Sequence, residues 1–202
     1  MSKVGKKLRF KKMLVQKTKD ESFSYTPGRY PLSQLWGIKE GYMTPEEYVE
    51  GEEYDFTSAY NIWNGVAKHN MLEDLFGKYD YNVEEKRVKE IEVNGSKFEI
   101  VGKADIQDLV DDESVEDFKT SVNLIEGKPW SNYQVKIYCT VFEKPKGYIL
   151  QPRIKKVKGK VVDAWLEVLS EVERDDDWFN KQMEELEKFH CKVMNYIENK
   201  NE

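Results

Sequence analysis

Hydrophobic positions in the first third of the chain recur with the spacing of helices. The segment Thr44–Glu47 combines a capping threonine, a proline suited to the first helical position and a glutamate that completes a capping box, so a helix is predicted to start there. Residues 31–36 favour a short helix. A longer helix is predicted over residues 58–76, with Gly77 as its stop, from the helical spacing of Ile62, Trp63, Val66, Met71, Leu72 and Leu75.

The middle of the chain shows strand-like patterns instead. Strands are predicted over residues 83–93, 97–110 and 115–120. Asn94-Gly95, between the first two, is a strong signal for a type I′ hairpin, and the acidic segment 111–114 forms the turn between the second and the third. The three strands are therefore predicted to form an antiparallel meander.

The last third returns to helices, with two further strands between them. Pro129 begins a helix, residues 147–154 and 161–172 are predicted as strands, and the acidic triplet 175–177 caps a final helix. That helix has one apolar stripe, which indicates core packing: Phe179, Met183, Leu186, Phe189, Val193 and Ile197. The order of elements predicts an α/β fold, in which a central mixed sheet (the three-stranded meander plus one or two further strands) is flanked by helices.

Composition divides the chain into an arm and a domain. Residues 1–29 are basic and polar and end in a Thr-Pro-Gly turn, so they are predicted to form an arm, and residues 30–202 are predicted to form a single domain. The net charge of −6 argues against a surface that binds nucleic acid everywhere. The tracts 3–19 and 153–160 are nevertheless locally basic. They suit either a nucleic-acid path or an ordinary solvated surface.

Cysteine content and hydropathy exclude several classes of protein. Cys139 and Cys191 form no C-x-x-C pair, so neither a zinc ribbon nor an iron–sulfur cluster is expected. No apolar stretch approaches the roughly 20 residues that span a bilayer, and the N-terminus lacks the apolar segment of a signal peptide. We therefore expect a cytoplasmic protein with free thiols.

Two acidic residues and a lysine carry the strongest chemical signal. Side chains alternate along a strand, so Asp117 and Lys119 share one face of the third predicted strand. The turn at residues 111–114 brings Asp105 nearly opposite Asp117, on strands about 4.8 Å apart. Two such carboxylates suit a hard cation, Mg²⁺ or Mn²⁺, which can activate water for phosphodiester hydrolysis. The alternative for Asp117 and Lys119 is a surface ion pair.

The preceding helix and the first predicted strand offer further metal ligands. His69 follows Gly65 by one turn, and a glycine inside a helix suggests close approach of that helix to the sheet. The imidazole can bind a metal, although a lone histidine can also be structural. Either Glu84 or Glu85 can point toward the same cation.

Gln134 and Tyr138 lie one turn apart in the helix that follows the third predicted strand. An amide and a phenol at the edge of the sheet can hydrogen-bond a nucleic-acid backbone. Simple helix amphipathicity is the alternative explanation for this pair.

The order of these motifs resembles the PD-(D/E)xK nuclease superfamily, and within it the RecB-like and phage-exonuclease branch. The pattern is G-x-x-x-H, an acidic residue, G-x-x-D, D-x-K-T and Q-x-x-x-Y. It is carried here by Gly65, His69, Glu85 (or Glu84), Gly102, Asp105, Asp117, Lys119, Thr120, Gln134 and Tyr138. The resemblance covers about residues 55–155 and implies a restriction-endonuclease-like fold.

The resemblance also implies roles for individual residues. The metal, Mg²⁺ or Mn²⁺, would be bound by His69, Asp105, Asp117 and the carbonyl of Phe118. Lys119 would serve the attacking water, Glu85 would be a further site acid, and Gln134 and Tyr138 would hold the DNA. The basic residues expected along the DNA path are Lys136, Lys155, Lys156 and Lys158.

The implied activity is divalent-metal-dependent hydrolysis of DNA. The leading hypothesis is an exonuclease that acts on DNA ends in recombination, replication or repair, with a single-strand-binding or recombination protein as a further partner and a phage as a natural source. The alternatives are a structure-specific endonuclease of the same fold, an RNA substrate, or a catalytically weak DNA-binding module. The intact set of His69, Asp105, Asp117 and Lys119 favours an active enzyme.

Overall fold

The computed structural model describes residues 25–51, 55–79, 81–120 and 128–201. The helices are α1 (Leu32–Lys39), α2 (Pro45–Glu50), α3 (Phe56–Gly77), α4 (Pro129–Val141) and α5 (Asp176–Asn201). The strands are β1 (Arg29–Pro31), β2 (Lys86–Val93), β3 (Ser96–Lys103), β4 (Ile106–Gln107), β5 (Ser114–Phe118), β6 (Lys146–Val157) and β7 (Lys160–Glu173). Each helix predicted from the sequence is present, which confirms the helical periodicity.

Local hydrogen bonds explain where two of these helices start. Thr44 caps α2, because its Oγ1 accepts from the Glu47 amide at 3.2 Å while its own amide donates to the Glu47 carboxylate at 2.8 Å. This is the predicted capping box. Asp175 caps α5 in the same way, since its Oδ1 accepts from the Trp178 amide at 2.9 Å.

The strands form two mixed sheets, which confirms the α/β fold class. One sheet has the order β1-β3-β2, with β1 parallel to β3 and β2 antiparallel to it. The other has the order β4-β5-β6-β7, in which β5 and β6 are parallel and the outer pairs are antiparallel. The turn between β2 and β3 has positive φ at both Asn94 (51°) and Gly95 (83°), as the predicted type I′ hairpin requires.

The predicted meander is interrupted within its second strand. Instead of one strand over residues 97–110, β3 ends at Lys103 and β4 begins at Ile106, so the meander is divided between the two sheets. Backbone pairing bridges the break, because the Ala104 amide donates to the Glu85 carbonyl and the Glu84 amide to the Asp105 carbonyl, both at 3.1 Å. The chain therefore changes direction at Asp105.

Two groups of buried side chains hold the layers together. The larger group has members from α1, α2, α4, α5 and both sheets. It includes most of the predicted α5 stripe: Phe179, Met183, Leu186, Phe189 and Val193. The smaller lies under α3 and comprises Leu72, Ile106, Phe118, Tyr148 and Leu150. The two groups lie around β5, the strand that carries the predicted acid and precedes the predicted lysine.

Glycines show how closely each helix approaches the sheet. A Cβ on Gly147 in β6 would lie 2.4 Å from Val135 Cγ1 of α4, so this glycine permits tight packing of α4. A Cβ on Gly65 in α3 would meet no atom of the described residues within 4 Å. The sequence-based explanation of Gly65 by close approach to the sheet is therefore wrong.

The end of the predicted N-terminal arm belongs to the folded structure. Residues 1–24 lie outside the described residues. Tyr25 packs edge-on against Tyr48, with ring centroids 5.6 Å apart, and Arg29 starts β1, which pairs with β3. Within the described residues, no helix has the length and apolar character needed to cross a membrane.

Candidate active site

The site is built around the end of β5 and the break after β3. Asp117 lies in β5, a strand with neighbours on both sides in its sheet, and is 2% exposed. Asp105 lies in the break, and its Oδ2 accepts a hydrogen bond from the Phe118 amide at 2.6 Å. Lys119, directly after β5, forms an ion pair with Asp117 Oδ2. The structure thus brings together the three residues predicted from the strand pattern.

Helix α3 adds two side chains to this cluster. His69 Nδ1 lies 3.4 Å from Asp105 Oδ2. Glu73, one turn further along α3, joins them, and one ligand atom each from His69, Glu73 and Asp105 lies within 4.8 Å of the others. The predicted metal set contained Asp117 in place of Glu73, and the structure instead pairs Asp117 with Lys119.

Burial and charge crowding shift the pKa values of these acids. Burial raises the pKa of Asp117 to about 6, against the lowering effect of Lys119 and with a further raising effect from Asp105. Burial, followed by a hydrogen bond with Glu84, raises the pKa of Glu73 to about 7. Crowded carboxyl groups of this kind are stabilised by a cation, which would offset their mutual repulsion.

The neighbouring carboxylates also shift the pKa of the His69 imidazole. Burial would lower its pKa, but the hydrogen bond and charge of Asp105, together with the charge of Asp117, outweigh burial and raise it. A histidine held between carboxylates is prepared to bind either a proton or a metal ion.

The donor set fits a hard divalent cation. Imidazole nitrogen and carboxylate oxygen atoms are ligands of Mn²⁺ and Mg²⁺. In addition, Asp117 Oδ2 is buried. Its neighbour is the Lys119 ammonium, with which it forms an ion pair, and among the described residues it accepts no well-directed hydrogen bond. Such an oxygen can accept a further positive partner.

Lys119 is also connected to α4 by a chain of hydrogen bonds. Its Nζ lies 3.5 Å from Gln134 Oε1, Gln134 Nε2 donates to Tyr138 Oη at 2.9 Å, and Tyr138 Oη donates to the Lys103 carbonyl at 2.7 Å. Tyr138 is only 4% exposed. Its hydroxyl is buried and fixes α4 against the end of β3, so the position does not favour the predicted contact with DNA, which stays a prediction.

Of the two candidate acids in the first predicted strand, Glu84 rather than Glu85 lies on the same cavity as His69 and Asp105. Glu84 lines a cavity of about 920 Å³ together with His69, Glu73 and Asp105, and it forms an ion pair with Lys103. Glu85 accepts instead from Arg87 Nε at 2.6 Å and from Gln107. The choice of Glu85 as the site acid is thus not supported by its position.

The predicted basic residues lie in two different places. Lys136 forms an ion pair with Asp175 at 2.9 Å and lies 4.7 Å from the centre of the Trp178 ring, so the structure does not place its ammonium with Gln134. Lys155, Lys156 and Lys158 are exposed on the β6–β7 hairpin. They occupy the end of β6 and the turn after it, whereas the sequence predicted them in a loop.

Sequence reasoning missed three side chains that border the cluster. Glu73 could have been found from its i,i+4 spacing to His69 on one helix face. Lys68 donates from α3 to the Thr120 carbonyl at 3.3 Å. The Trp130 ring centre lies 4.5 Å from Lys119 Nζ. Helical spacing does not mark Lys68 or Trp130 as site residues, because their distances from Lys119 and Thr120 depend on how α3 and α4 meet β5.

Comparison with known proteins reveals the same fold elsewhere. No protein-family model and no curated protein matches the sequence. Among solved structures, SSO0001 superposes with a TM-score of 0.60 at 20% identity, covering 87% of this chain and 84% of that one. An alkaline exonuclease from Laribacter hongkongensis superposes with a TM-score of 0.56 at 12% identity, covering 87% and 92%. Its complex with dAMP gives 0.56 at 13%, covering 86% and 91%.

Proposed function

We propose that this protein is a divalent-metal-dependent DNA nuclease of the PD-(D/E)xK class. The observation that carries the proposal is the buried Asp117–Lys119 ion pair at the end of β5, with Asp105 and His69 beside it. A buried ion pair is a poor source of stability, because desolvation of the two charges offsets their attraction. Chemistry gives a better reason for placing it there. The shared fold with an alkaline exonuclease supports the proposal.

The side chains divide the work of binding and positioning. His69, Glu73 and Asp105 would hold the cation, with Asp117 and the Phe118 carbonyl as further ligands. When bound, the cation would supply Lewis-acid activation of water and neutralise charge on the scissile phosphate. Lys119 would orient the attacking water and stabilise negative charge as it develops.

A second layer of contacts would keep Lys119 in place. Gln134 lies against the Lys119 ammonium, and Tyr138 holds Gln134 by a hydrogen bond of 2.9 Å. Because the Tyr138 hydroxyl also donates to the Lys103 carbonyl, this series of hydrogen-bonded side chains is fixed to the end of β3. Positioning of this kind reduces the reorganisation needed when the reaction starts.

We further propose that the substrate is a DNA end and that the cut is exonucleolytic. The alkaline exonuclease with the same fold was solved with dAMP, and a mononucleotide is what an exonuclease releases. Exposed lysines on the β6–β7 hairpin provide positive charge on a protein whose net charge is −6, and DNA backbone binding requires such local charge.

The test uses the purified protein with end-labelled linear DNA and a covalently closed circle. In Mg²⁺ or Mn²⁺, we expect mononucleotide release from the linear DNA, an intact circle, and no reaction in EDTA. Cutting of the circle would show an endonuclease. Absence of cleavage on both DNAs and on RNA in either metal would contradict the proposed function.

A further inference from the structure

Trp130 borders the proposed catalytic lysine but belongs to none of the motifs that identified the site. It is the second residue of α4, and its ring centre lies 4.5 Å from Lys119 Nζ. The residue is 40% exposed. Exposure of so large an apolar ring costs stability, since burial of an aromatic side chain is strongly favourable. Core packing therefore does not explain it.

Three other tryptophans have aromatic partners, whereas Trp165 on β7, 45% exposed, has none among the described residues and lies on a different element from the site. Trp36 and Trp178 both pack against Tyr133, with ring centroids 5.4 and 5.3 Å apart. Trp63 on α3 packs against Tyr60 at 5.9 Å. In the part of the chain that the structure describes, no aromatic ring packs on Trp130. The Lys119 ammonium lies over its ring, and the residue is still 40% exposed, so part of the ring is available to a ligand beside Lys119.

A cation from the opposite helix lies close to the same place. Lys68 on α3 donates to the carbonyl of Thr120, the residue that follows Lys119. The end of β5 is therefore bordered by a lysine from α3 and an indole from α4. Positive charge for the backbone and an aromatic ring for a base are the two parts of a site for single-stranded nucleic acid.

We infer that Trp130 stacks on one unpaired base of the strand being cut, next to the phosphate that Lys119 faces. The inference rests on the proposed function and names its substrate class: a strand whose base at the cut is unpaired, either single-stranded or frayed from a duplex end. Inside a duplex both faces of a base are covered by its neighbours, so away from the terminal base pair an indole can stack only on a base that has left the helix.

Stacking and simple support of Lys119 make different predictions. If Trp130 only held the ammonium by a cation–π contact, its loss would slow cleavage and leave binding of the base unchanged. If it stacks on a base, removal of either the ring or the base should weaken binding, and removal of both should cost no more than removal of one.

The experiment scans an abasic residue through a single-stranded oligonucleotide. Binding is measured with the Asp117→Asn protein in Ca²⁺, so that the DNA stays intact. One abasic position should weaken binding by about 5- to 150-fold, the range expected for loss of one stacked base. This position-specific loss, a minimum in affinity along the scan, should disappear in the Trp130→Leu form of that protein. In the Trp130→Phe form it should remain in part. Trp63→Leu, an equally exposed tryptophan on α3, is the control and should keep the minimum.

The results separate failure of the subsite from failure of the nuclease. If wild-type protein cuts DNA but no abasic position weakens binding, or if the minimum persists in Trp130→Leu, the stacking site is wrong and the nuclease stands. If the minimum depends on Trp130 but no metal supports cleavage, the stacking site stands and the nuclease is wrong. Failure of the protein to bind any single strand overturns the stacking site. Thermal melts of each variant verify folding, and Trp130→Ala, which also lacks the ring, replaces Trp130→Leu if the latter is unfolded.

Discussion

Helices α3 and α4 both supply side chains to the candidate site, but they are held in very different ways. More than half of α4 is buried, including Tyr133, Val135 and Ile137. Within the described part of α3, the buried residues are Ala59 and Leu72, while Trp63 and Met71 are largely exposed. The half of the site on α4 is therefore fixed by packing, whereas the half on α3 depends more on its polar contacts.

The difference assigns different tasks to the two helices. Gln134 and Tyr138 on α4 can hold Lys119 in place before any substrate arrives, because packing restricts their rotamers. His69 and Glu73 on α3 lie on a cavity open to solvent and carry raised pKa values, so a bound cation would both satisfy them and fasten α3 to β5. Metal binding should thus affect α3 more than α4.

The largest effect is expected where the two halves meet. Asp117→Asn and Lys119→Ala should each lower the cleavage rate by about 100-fold or more, because each removes charge from the reacting centre. The melting temperature of each variant should change little, so the loss of rate is not a loss of folded protein. Asp112→Asn, an exposed acid in the turn before β5, is the matched control and should cleave normally. Wild-type rates in either site variant would contradict the assignment.

A large effect on metal affinity should follow from substitution on α3. Glu73→Gln should weaken Mn²⁺ binding, measured by calorimetry, by about 10-fold or more, because it removes a carboxylate ligand. Glu85→Gln should leave the affinity unchanged, since Glu85 pairs with Arg87 away from the cavity. The opposite order of the two variants would restore the sequence-based choice of Glu85.

A smaller effect is expected on the packed side of the site. Tyr138→Phe should lower kcat by about 10-fold at most, the value of a lost hydrogen bond, with unchanged affinity for Mn²⁺ and for DNA. The reason is that Tyr138 positions Gln134 and Lys119 and does not reach the solvent. Weaker DNA binding with an unchanged kcat would instead indicate the DNA contact that the sequence suggested.

Lysines of the β6–β7 hairpin should affect binding but not catalysis. Replacement of Lys155, Lys156 and Lys158 by Glu should weaken DNA binding and reduce its log–log salt slope by roughly 0.7–0.9 for each lost phosphate contact. At saturating DNA the cleavage rate should not change. A triple replacement of exposed α5 lysines, Lys181, Lys188 and Lys192, tests whether net charge alone explains the result. Equal effects of both triple variants would exclude a DNA path along the hairpin.

The smallest expected effects test the packing difference itself. Gly147→Ala should destabilise the protein by roughly 1–3 kcal/mol, because the added methyl group meets α4 and the Val115 carbonyl. Gly65→Ala should stabilise it by about 0.5–1 kcal/mol, since the methyl group meets no described atom and alanine favours a helix. Denaturant unfolding measures both. Destabilisation by Gly65→Ala would show that α3 is packed more tightly than its contacts indicate.

Most of the fold could be predicted from local pattern. Helical spacing together with capping and proline signals predicted the five described helices, and Asn94-Gly95 predicted the hairpin, because these signals depend on residues close together in the chain. The break between Lys103 and Ile106 could not be predicted in this way. Both sides of it have strand-forming sequences, and the reason for the change of direction is that the two parts pair within different sheets.

The candidate site shows the same division. Alternation along one strand was sufficient to put Asp117 and Lys119 on one face. The predicted turn at 111–114 was sufficient to bring Asp105 near them, although the connection between the two strands is longer than that turn and Ser114 already belongs to β5. The choice between Glu84 and Glu85 depends on which of them lies on the cavity with His69 and Asp105, and that depends on how α3 packs beside the first sheet rather than on neighbouring residues.

The sequence by itself determined which elements form and which chemical groups lie on a shared face of one element, because backbone hydrogen bonding and side-chain alternation act over a few residues. The tertiary structure alone decided which groups meet across elements. It placed Glu73 beside Asp105, buried Tyr138 against β3, directed Lys136 to Asp175 and set Trp130 beside Lys119. Those contacts depend on how α3 and α4 pack on β5, and packing is decided by the whole core rather than by any one segment.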